Sequence, residues 1–304
     1  MKAIIKLSSM GDIIHSLVVL PLLKEKIDFI VDDSFKEILN YNPFINKIVP
    51  IKLRAAKKDK KLFFKEFKHF KNMNYNEIYD LQGLIKSAFF ARFATKKLIG
   101  YKNPREKLAS LFYDKKIESK KFYAIERYLE LFEMENFEFL KNHPKLLFFK
   151  DRDFEFLSKS RKNIVFIIGG SWECKKLPIN KWIELTNELK DENVIIPYVG
   201  ENEKQDAINI AKNCKNVNIV SLNLNDLKAL ISKADLLIGN DTGPSFIAWA
   251  NNINNIILYG CSFNNKIIEN KYSKSIEVQK SIKKGLMVMD KIEIKQILKK
   301  IDEF

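Results

Sequence analysis

The chain has 304 residues, 46% of them hydrophobic, which is more than one compact alternating domain needs and enough for two cores in domains of about 150 residues each. Lys and Arg number 53 against 38 Asp and Glu, a formal net charge of +15, so the molecular field attracts anions: phosphorylated small molecules, nucleic acid or an acidic membrane face. The longest apolar stretch, "IIHSLVVLPLL" (13–23), holds His15 and Pro21 and is too short to span a bilayer, and Lys6 breaks the first apolar run before it can serve as a signal-peptide core.

In the first half, short β-branched runs predict strands at 3–7, 28–31, 47–51, 77–81 and 97–100, with helical periodicity at 12–26, 59–73 and 83–93. The charged stretch "LFFKDRDFEFLSKSRKN" (147–163) has no strand period and sets a boundary near residue 155. The pattern then resumes, with strands at 163–170, 193–200, 217–222, 235–241 and 255–260 and helices at 179–190, 202–213, 225–233 and 243–251. Strand and helix alternating in this way predicts α/β architecture with parallel sheets: one Rossmann-like domain over 1–155 and a second over 156–290, facing each other across a cleft. An amphipathic terminal helix (291–304) could dock on either domain, including back on the first. Cys174, Cys214 and Cys261 lie far apart and form no CxxC pair, so neither a zinc site nor a disulfide framework is expected, and a reducing cytosol fits best.

Ligands of open α/β sheets gather at the carboxyl ends of the strands, so the informative residues follow each strand. "KLSSMGDIIHSL" (6–17) puts Asp12 in the first helical turn, where the helix terminus favours its ionised form. Facing a cleft, that carboxylate could take a proton from an attacking hydroxyl; it could equally be a plain cap, and His15 could be a rival base or a packed histidine. "GGSWECKKLPINKW" (169–182) offers a Gly-Gly turn, the Ser171 hydroxyl and the Lys175 and Lys176 ammonium groups to a phosphate, or else is a solvated basic loop. "VGENEKQDA" (199–207) sets Glu201 and Glu203 where a carboxylate can accept from ribose hydroxyls, although a surface helix would look the same. "GNDTGPSFIAWA" (239–250) brings Asp241, Thr242 and Gly243 to the start of a helix, an arrangement suited to a diphosphate and also to an ordinary capped turn. Neither GxxxxGK[ST] nor GxGxxG occurs, which disfavours an ATPase or a nicotinamide dehydrogenase.

Taken together, "SSMGDIIH", "DLQGLIKSA" (80–88), "REKLASLFYDKK" (105–116), "YAIERYLELF" (123–132), "KKLP" (175–178) and "NDTGPS" (240–245) resemble glycosyltransferase family 9, in order from residue 1 to about 262. The resemblance implies a GT-B fold with an acceptor-binding N-terminal and a nucleotide-sugar-binding C-terminal domain. It implies inverting transfer of L-glycero-D-manno-heptose from ADP-heptose to the Kdo of Kdo-lipid A, in inner-core lipopolysaccharide synthesis. "DLQGLIKSA" and "REKLASLFY" favour a Kdo acceptor over the heptose acceptor of other members. By matching position, the resemblance implies Asp12 as the general base and Lys175, Glu203, Asp241, Thr242 and Gly243 as donor-binding residues; Ser171 is expected beside them, and Lys6, Ser9, Gly11, Arg54, Gln82 and Arg105 are expected to bind the acceptor. No resident metal or tightly bound cofactor is implied, and a stimulatory divalent cation is left open. Phe246 stands where the family usually has His, and Glu173–Cys174 where it has an acidic pair.

The segment 52–71 carries nine Lys or Arg against two acids, with Phe63, Phe67 and Phe70 at helical spacing. In the family reading its cations meet Kdo carboxylates, lipid A phosphates and the anionic inner leaflet; otherwise it is a solvated helix face. The expected protein is therefore a monomer at the cytoplasmic face of the inner membrane with no nucleic-acid partner. Charge and 23 Phe keep a nucleic-acid-binding protein as the rival, against which stands the absence of an RNP-type motif. A catalytically silent family member is a third reading, suggested by Phe246 and opposed by Asp12 and Lys175.

Overall fold

In a computed structural model, which describes residues 1–56, 59–262, 264–278 and 286–304, the chain forms two compact units. The first comprises 1–148 together with the three residues 266–268, and the second 149–265 with 269–304.

The first unit is built on strands β1 (Lys2–Ile5), β2 (Ile27–Asp32), β3 (Ile45–Ile51), β4 (Tyr75–Asp80), β5 (Thr95–Tyr101) and β6 (Lys115–Ile117), with helices α1 (Met10–Ser16), α2 (Leu53–Ala56), α3 (Lys60–Lys71), α4 (Ile85–Arg92) and α5 (Ala124–Leu131). The second is built on β7 (Asn163–Ile167), β8 (Asn193–Pro197), β9 (Val217–Val220), β10 (Leu236–Asn240), β11 (Asn255–Tyr259) and β12 (Ser273–Glu277), with α6 (Ile179–Glu188), α7 (Gly200–Asn213), α8 (Leu224–Ser232), α9 (Ser245–Ala250) and α10 (Ile294–Ile301). Every strand pairing is parallel. Helices cover both faces of such sheets, which is why β7, β10 and β11 are largely apolar and, like β2, buried nearly throughout instead of alternating.

The strand orders are β3-β2-β1-β4-β5-β6 and β12-β11-β10-β7-β8-β9. Numbered within its own unit and read from the other edge, the second order is the first: both are 3-2-1-4-5-6, the doubly wound arrangement whose ligand crevice opens where the order reverses. That point lies between β1 and β4 in the first unit and between β7 and β10 in the second.

Three features depart from the sequence reading. The predicted helix over 12–26 is α-helical only through Ser16; Leu17–Leu22 tightens to a 3₁₀ helix, because Pro21 lacks an N–H and crowds the turn before it. The edge strands β6 and β12, "KKI" and "SKSIE", and helix α5 were not anticipated. The terminal helix, left open between the units, packs within the second, burying Ile294 and Ile297 in the core that also holds Trp182, Phe166 and Ile256.

Candidate active site

At the switch point of the first unit, the side-chain carbonyl of Gln82, just past β4, accepts the N–H of Leu7 at 2.9 Å and of Ser8 at 3.0 Å. This clamps the β1–α1 turn. Ser9 caps α1, and its N–H and hydroxyl both donate to Asp12 Oδ2, at 3.3 and 3.2 Å. The other oxygen of Asp12 accepts from Lys266 Nζ at 3.2 Å. Asp12 thus closes the capping box with one oxygen and presents the second to a cation, so capping and chemistry do not compete for the same atom.

The segment 266–268 belongs to the first unit: the Lys266 carbonyl accepts from the N–H of Ile125, at 3.3 Å, and Ile267 is buried. Lys266 joins Lys6, Asp12, Arg105, Arg127 and Tyr128 around a cavity of about 360 Å³ whose wall also includes Gln82 and Gly83. The cavity is cationic, with four positive side chains to one carboxylate. Lys6 is buried, donates to the Leu81 carbonyl at 3.1 Å and lies 5.5 Å from the centre of the Tyr128 ring. Burial lowers its pKa, against the pull of Asp12 and Asp80. Burial pushes the Asp12 carboxyl up, but Lys6 and Lys266 outweigh that effect and hold it below the usual carboxylate range. His15 is 1% exposed, and burial lowers its pKa to about 3, so it is a neutral core side chain and not part of the cavity wall.

Asp80 builds the turn that carries Gln82. Its carboxylate is fully buried and accepts from the N–H groups of Gln82 and Gly83 and from the hydroxyls of Ser87 and Tyr113, at 2.8–3.0 Å. Gly83 occupies φ +64°, and a Cβ there would press on the backbone of Arg105 at 3.2 Å. The turn therefore seats Arg105 at the rim of the cavity. Ser9 and Gly11 lie in the capped turn; Arg54 lies on α2, with its side chain outside the described residues.

In the second unit the corresponding crevice is made by the loops after β7 and β10. Lys175 Nζ forms an ion pair with Asp241, which also accepts from the Ser262 hydroxyl at 2.8 Å, and Lys175 lies 5.3 Å from the Trp172 ring centre. Asn240, fully buried at the end of β10, donates to the carbonyls of Ile168 (2.7 Å) and Gly169 (3.1 Å) and accepts the N–H of Leu177 at 3.1 Å. One amide thus ties both ends of the lysine loop to the DTG turn. The Ser245 hydroxyl donates to the Asn240 carbonyl at 2.7 Å. Glu203 accepts from the Val199 N–H at 2.9 Å, and its carboxylate lies so close over Gly169 that a Cβ there would meet Oε1 at 2.1 Å. Thr242 and Gly243 are partly exposed at this turn, Ser171 is exposed, and Phe246 is buried.

The cysteines correct the sequence reading. Cys174 and Cys261, taken as separate thiols, are joined in a disulfide, Cys214 remaining free and buried. The cause is strand order: β10 sits between β7 and β11, so the loops after β7 and β11 emerge on the same side of the sheet and bring the two Cα atoms to 5.7 Å, within disulfide range. Sequence reasoning also missed Arg127, Tyr128, Lys266 and Asn240. The first two sit in "YAIERYLELF", which marked the family but no role; Lys266 lies 254 residues from Asp12, and nothing local signals that pairing. Among the described residues no cluster of His, Cys, Asp and Glu could hold a metal ion, and no helix is long and apolar enough to cross a membrane.

Residues 63–292 match the profile of glycosyltransferase family 9 (heptosyltransferase). The chain is 31% identical to lipopolysaccharide heptosyltransferase 1 of Campylobacter coli, over 99% of this chain and 98% of the relative. It is 28% identical to the protein of the same name in Escherichia coli K12, covering 84% and 86%. Among solved structures, E. coli heptosyltransferase WaaC with ADP-2-deoxy-2-fluoro heptose superposes with a TM-score of 0.81 at 22% identity, covering 100% of this chain and 99% of that one. E. coli ADP-heptose lps heptosyltransferase II gives 0.75 at 18% identity, covering 99% and 97%. The fold is that of the two-sheet, GT-B-like α/β enzymes.

Proposed function

Because the chain belongs to glycosyltransferase family 9, the heptosyltransferases, we propose that it moves L-glycero-D-manno-heptose from ADP-heptose to the Kdo of Kdo-lipid A, with inversion. The observation that carries this reading is Asp12: one carboxylate oxygen holds its helix cap while the residue lines a cationic cavity in the unit assigned to the acceptor. An anionic sugar such as Kdo suits that cavity, its carboxylate neutralised by Arg105, Arg127 and Lys6. The donor reading is supported by WaaC, solved with ADP and with an ADP-heptose analogue, and by the lysine and DTG loops of the second unit.

In the proposed step an acceptor hydroxyl attacks the anomeric carbon from the face opposite the diphosphate. The new C–O bond forms as the bond to the diphosphate oxygen breaks, ADP leaves with the electron pair, and the hydroxyl proton passes to Asp12. A carboxylate held below its usual pKa is a weak base, so the proton moves late, as attack acidifies the hydroxyl. Lys175 and the N–H groups of the DTG turn neutralise the departing diphosphate, with Lys175 exchanging Asp241 for phosphate. Glu203 takes the ribose hydroxyls. The enzyme works as a peripheral protein on the cytoplasmic face of the inner membrane, as a monomer, and a divalent cation stimulates the reaction.

The test is incubation with ADP-heptose and Kdo-lipid A, followed by mass and NMR analysis of the product. A product one heptose heavier with inverted anomeric configuration is expected; retained configuration, or transfer only to a heptose-terminated acceptor, overturns the reading. Addition of a chelator should slow the reaction only modestly.

A further inference from the structure

Asp241 is held from two sides. Lys175 pairs with it from the loop after β7, and the Ser262 hydroxyl donates to it at 2.8 Å from the loop after β11. The residue before each of these partners is a cysteine, and the two cysteines, Cys174 and Cys261, are bonded to each other across 87 residues of sequence. One covalent bond therefore fixes the spacing of the two side chains that hold the Asp241 carboxylate.

The amide of Asn240 secures the lysine loop at its ends, at the carbonyls of Ile168 and Gly169 and at the N–H of Leu177. The middle is held differently. Ser171, Trp172 and Glu173 are exposed, and the hydrogen bonds of the following 3₁₀ turn stay inside the loop: the Lys175 N–H donates to the Trp172 carbonyl at 3.0 Å and the Lys176 N–H to the Glu173 carbonyl at 2.9 Å. The loop's middle meets the end of β11 by packing, close enough that a Cβ on Gly260 would lie 2.9 Å from the Cys174 carbonyl, and by the disulfide. Without that bond, packing and the Lys175–Asp241 pair remain, and the pair is what an incoming anion displaces. Cys174 is 4% exposed and Cys261 fully buried, so an attacking thiolate reaches the Cys174 sulfur first, through the exposed stretch before it.

We propose that Cys174–Cys261 is a reversible thiol–disulfide site that sets the mobility of the lysine loop and, with it, the loop's hold on an anion, tight when oxidised and weak when reduced. The reductant is a dithiol. One of its thiolates attacks the Cys174 sulfur and forms a mixed disulfide, while Cys261 leaves with the electron pair of the broken bond and takes a proton. The second thiol then attacks the reductant sulfur of the mixed disulfide, which releases Cys174 as a thiol and closes the reductant's own disulfide. A low-molecular-weight disulfide reverses the sequence. The oxidised loop keeps Lys175 where Asp241 shows an anionic oxygen to fit, so binding orders little; the reduced loop must be ordered at the moment of binding. That the anion is the diphosphate of ADP-heptose rests on the proposed function; the control of the loop does not.

The test compares the full chain treated with dithiothreitol and the same chain treated with oxidised glutathione. Alkylation after denaturation, read by peptide mass, should label Cys174 and Cys261 in the reduced form alone and Cys214 in both. Trypsin should cut after Lys175 or Lys176 roughly fivefold faster or more in the reduced form, with far-ultraviolet circular dichroism the same in both. The Kd for ADP, measured calorimetrically, should rise ~3- to 10-fold on reduction and return on reoxidation. Cys174→Ser and Cys261→Ser should each behave as the reduced chain whatever the treatment, and Cys214→Ser should respond as wild type does. Labelling of Cys174 and Cys261 after oxidation overturns the proposal, as does equal cleavage of the loop in the two forms. An ADP affinity that reduction leaves unchanged also overturns it. So does a reduced wild type that loses its circular dichroism, since the bond then serves the fold and not the loop. If neither form binds ADP while trypsin still tells them apart, the proposed function fails and the control of the loop stands.

Discussion

The two units share one strand order and place their candidate residues at the same point of it, yet they prepare those residues in opposite ways. At the first switch point Asp12 is set by its surroundings: a serine cap, a glutamine clamp on the turn before it, and cations that fix its charge. At the second, Lys175 is paired with Asp241 of the same site, and the loop that carries it is tied by Asn240 and by a disulfide. The first arrangement suits a group that must keep its position and ionisation while a proton arrives. The second suits a cation that must change partners. One topology thus carries a fixed carboxylate and a paired lysine, suited to the proposed base and the proposed diphosphate clamp, and the difference lies in the loops.

The largest expected effect breaks the first side of this comparison. Asp12→Asn should lower turnover by ~10²-fold or more, because the amide cannot take the proton. Its melting temperature and ADP-heptose affinity should change little, since the amide oxygen still accepts from Ser9. His15→Ala is the control: a buried, neutral histidine should cost stability and leave most of the turnover. Wild-type turnover in Asp12→Asn would remove the residue from the mechanism.

Lys175→Ala tests the other side. It removes the cation proposed to meet the diphosphate and leaves Asp241 without its ion-pair partner, so ADP-heptose binding should weaken by ~10- to 100-fold, measured calorimetrically. Asp241→Asn separates the two roles: with the lysine freed, ADP should bind no worse than to wild type even where heptose transfer falls. Unchanged donor affinity in Lys175→Ala would assign the phosphate to Lys176.

The strands of both cores were legible as β-branched runs because a parallel sheet covered on both faces leaves no polar alternation to confuse with loops. The edges were not. β6 and β12 are "KKI" and "SKSIE" because a strand with one free edge is protected by lysines and polar side chains, which erases the hydrophobic signal. Motif residues that follow strands could be named from sequence because strand order dictates where ligands go. Lys266 and the Cys174–Cys261 bond could not, since each depends on which loops the sheet order makes neighbours. Asn240 read as the end of a strand, and only the three backbone groups it holds reveal it as a tie.

That tie gives a smaller prediction. Asn240→Ala leaves two buried carbonyls and one N–H without their partner, a loss of about 2–4 kcal/mol. All three tryptophans, Trp172, Trp182 and Trp249, lie in the second unit, so denaturant unfolding followed by tryptophan fluorescence should show the shift. Gln82→Ala, its counterpart in the first unit, should leave that transition in place and lower turnover instead, by loosening the turn that carries Asp12. Equal fluorescence shifts in both variants would mean that the units do not unfold separately.

The smallest effect concerns Lys266, whose ammonium faces Asp12 together with Lys6 just after β1, His15 on α1 and Tyr128 on α5. Burial keeps His15 neutral and raises the Tyr128 pKa, so Lys6 and Lys266 are the two side chains that pull the Asp12 carboxyl down most. Lys266→Met removes one of the two cations that depress the Asp12 carboxyl. Its pKa should rise, moving the acid limb of the turnover profile up by about one pH unit. Stability should follow the same sign. The folded-state pKa of Asp12 lies below that of an unperturbed aspartate, so the group stabilises the fold above the ordinary carboxylate value and ceases to do so as pH falls through the lower, folded one. The variant should therefore be less stable than wild type near neutrality, by about 1 kcal/mol or less because Lys266 is partly solvated, and the gap should close in acid. Lys266→Arg should restore both the limb and the stability. An acid limb that stays in place in Lys266→Met would show that Lys6 alone sets the charge of Asp12, leaving Lys266 a surface contact.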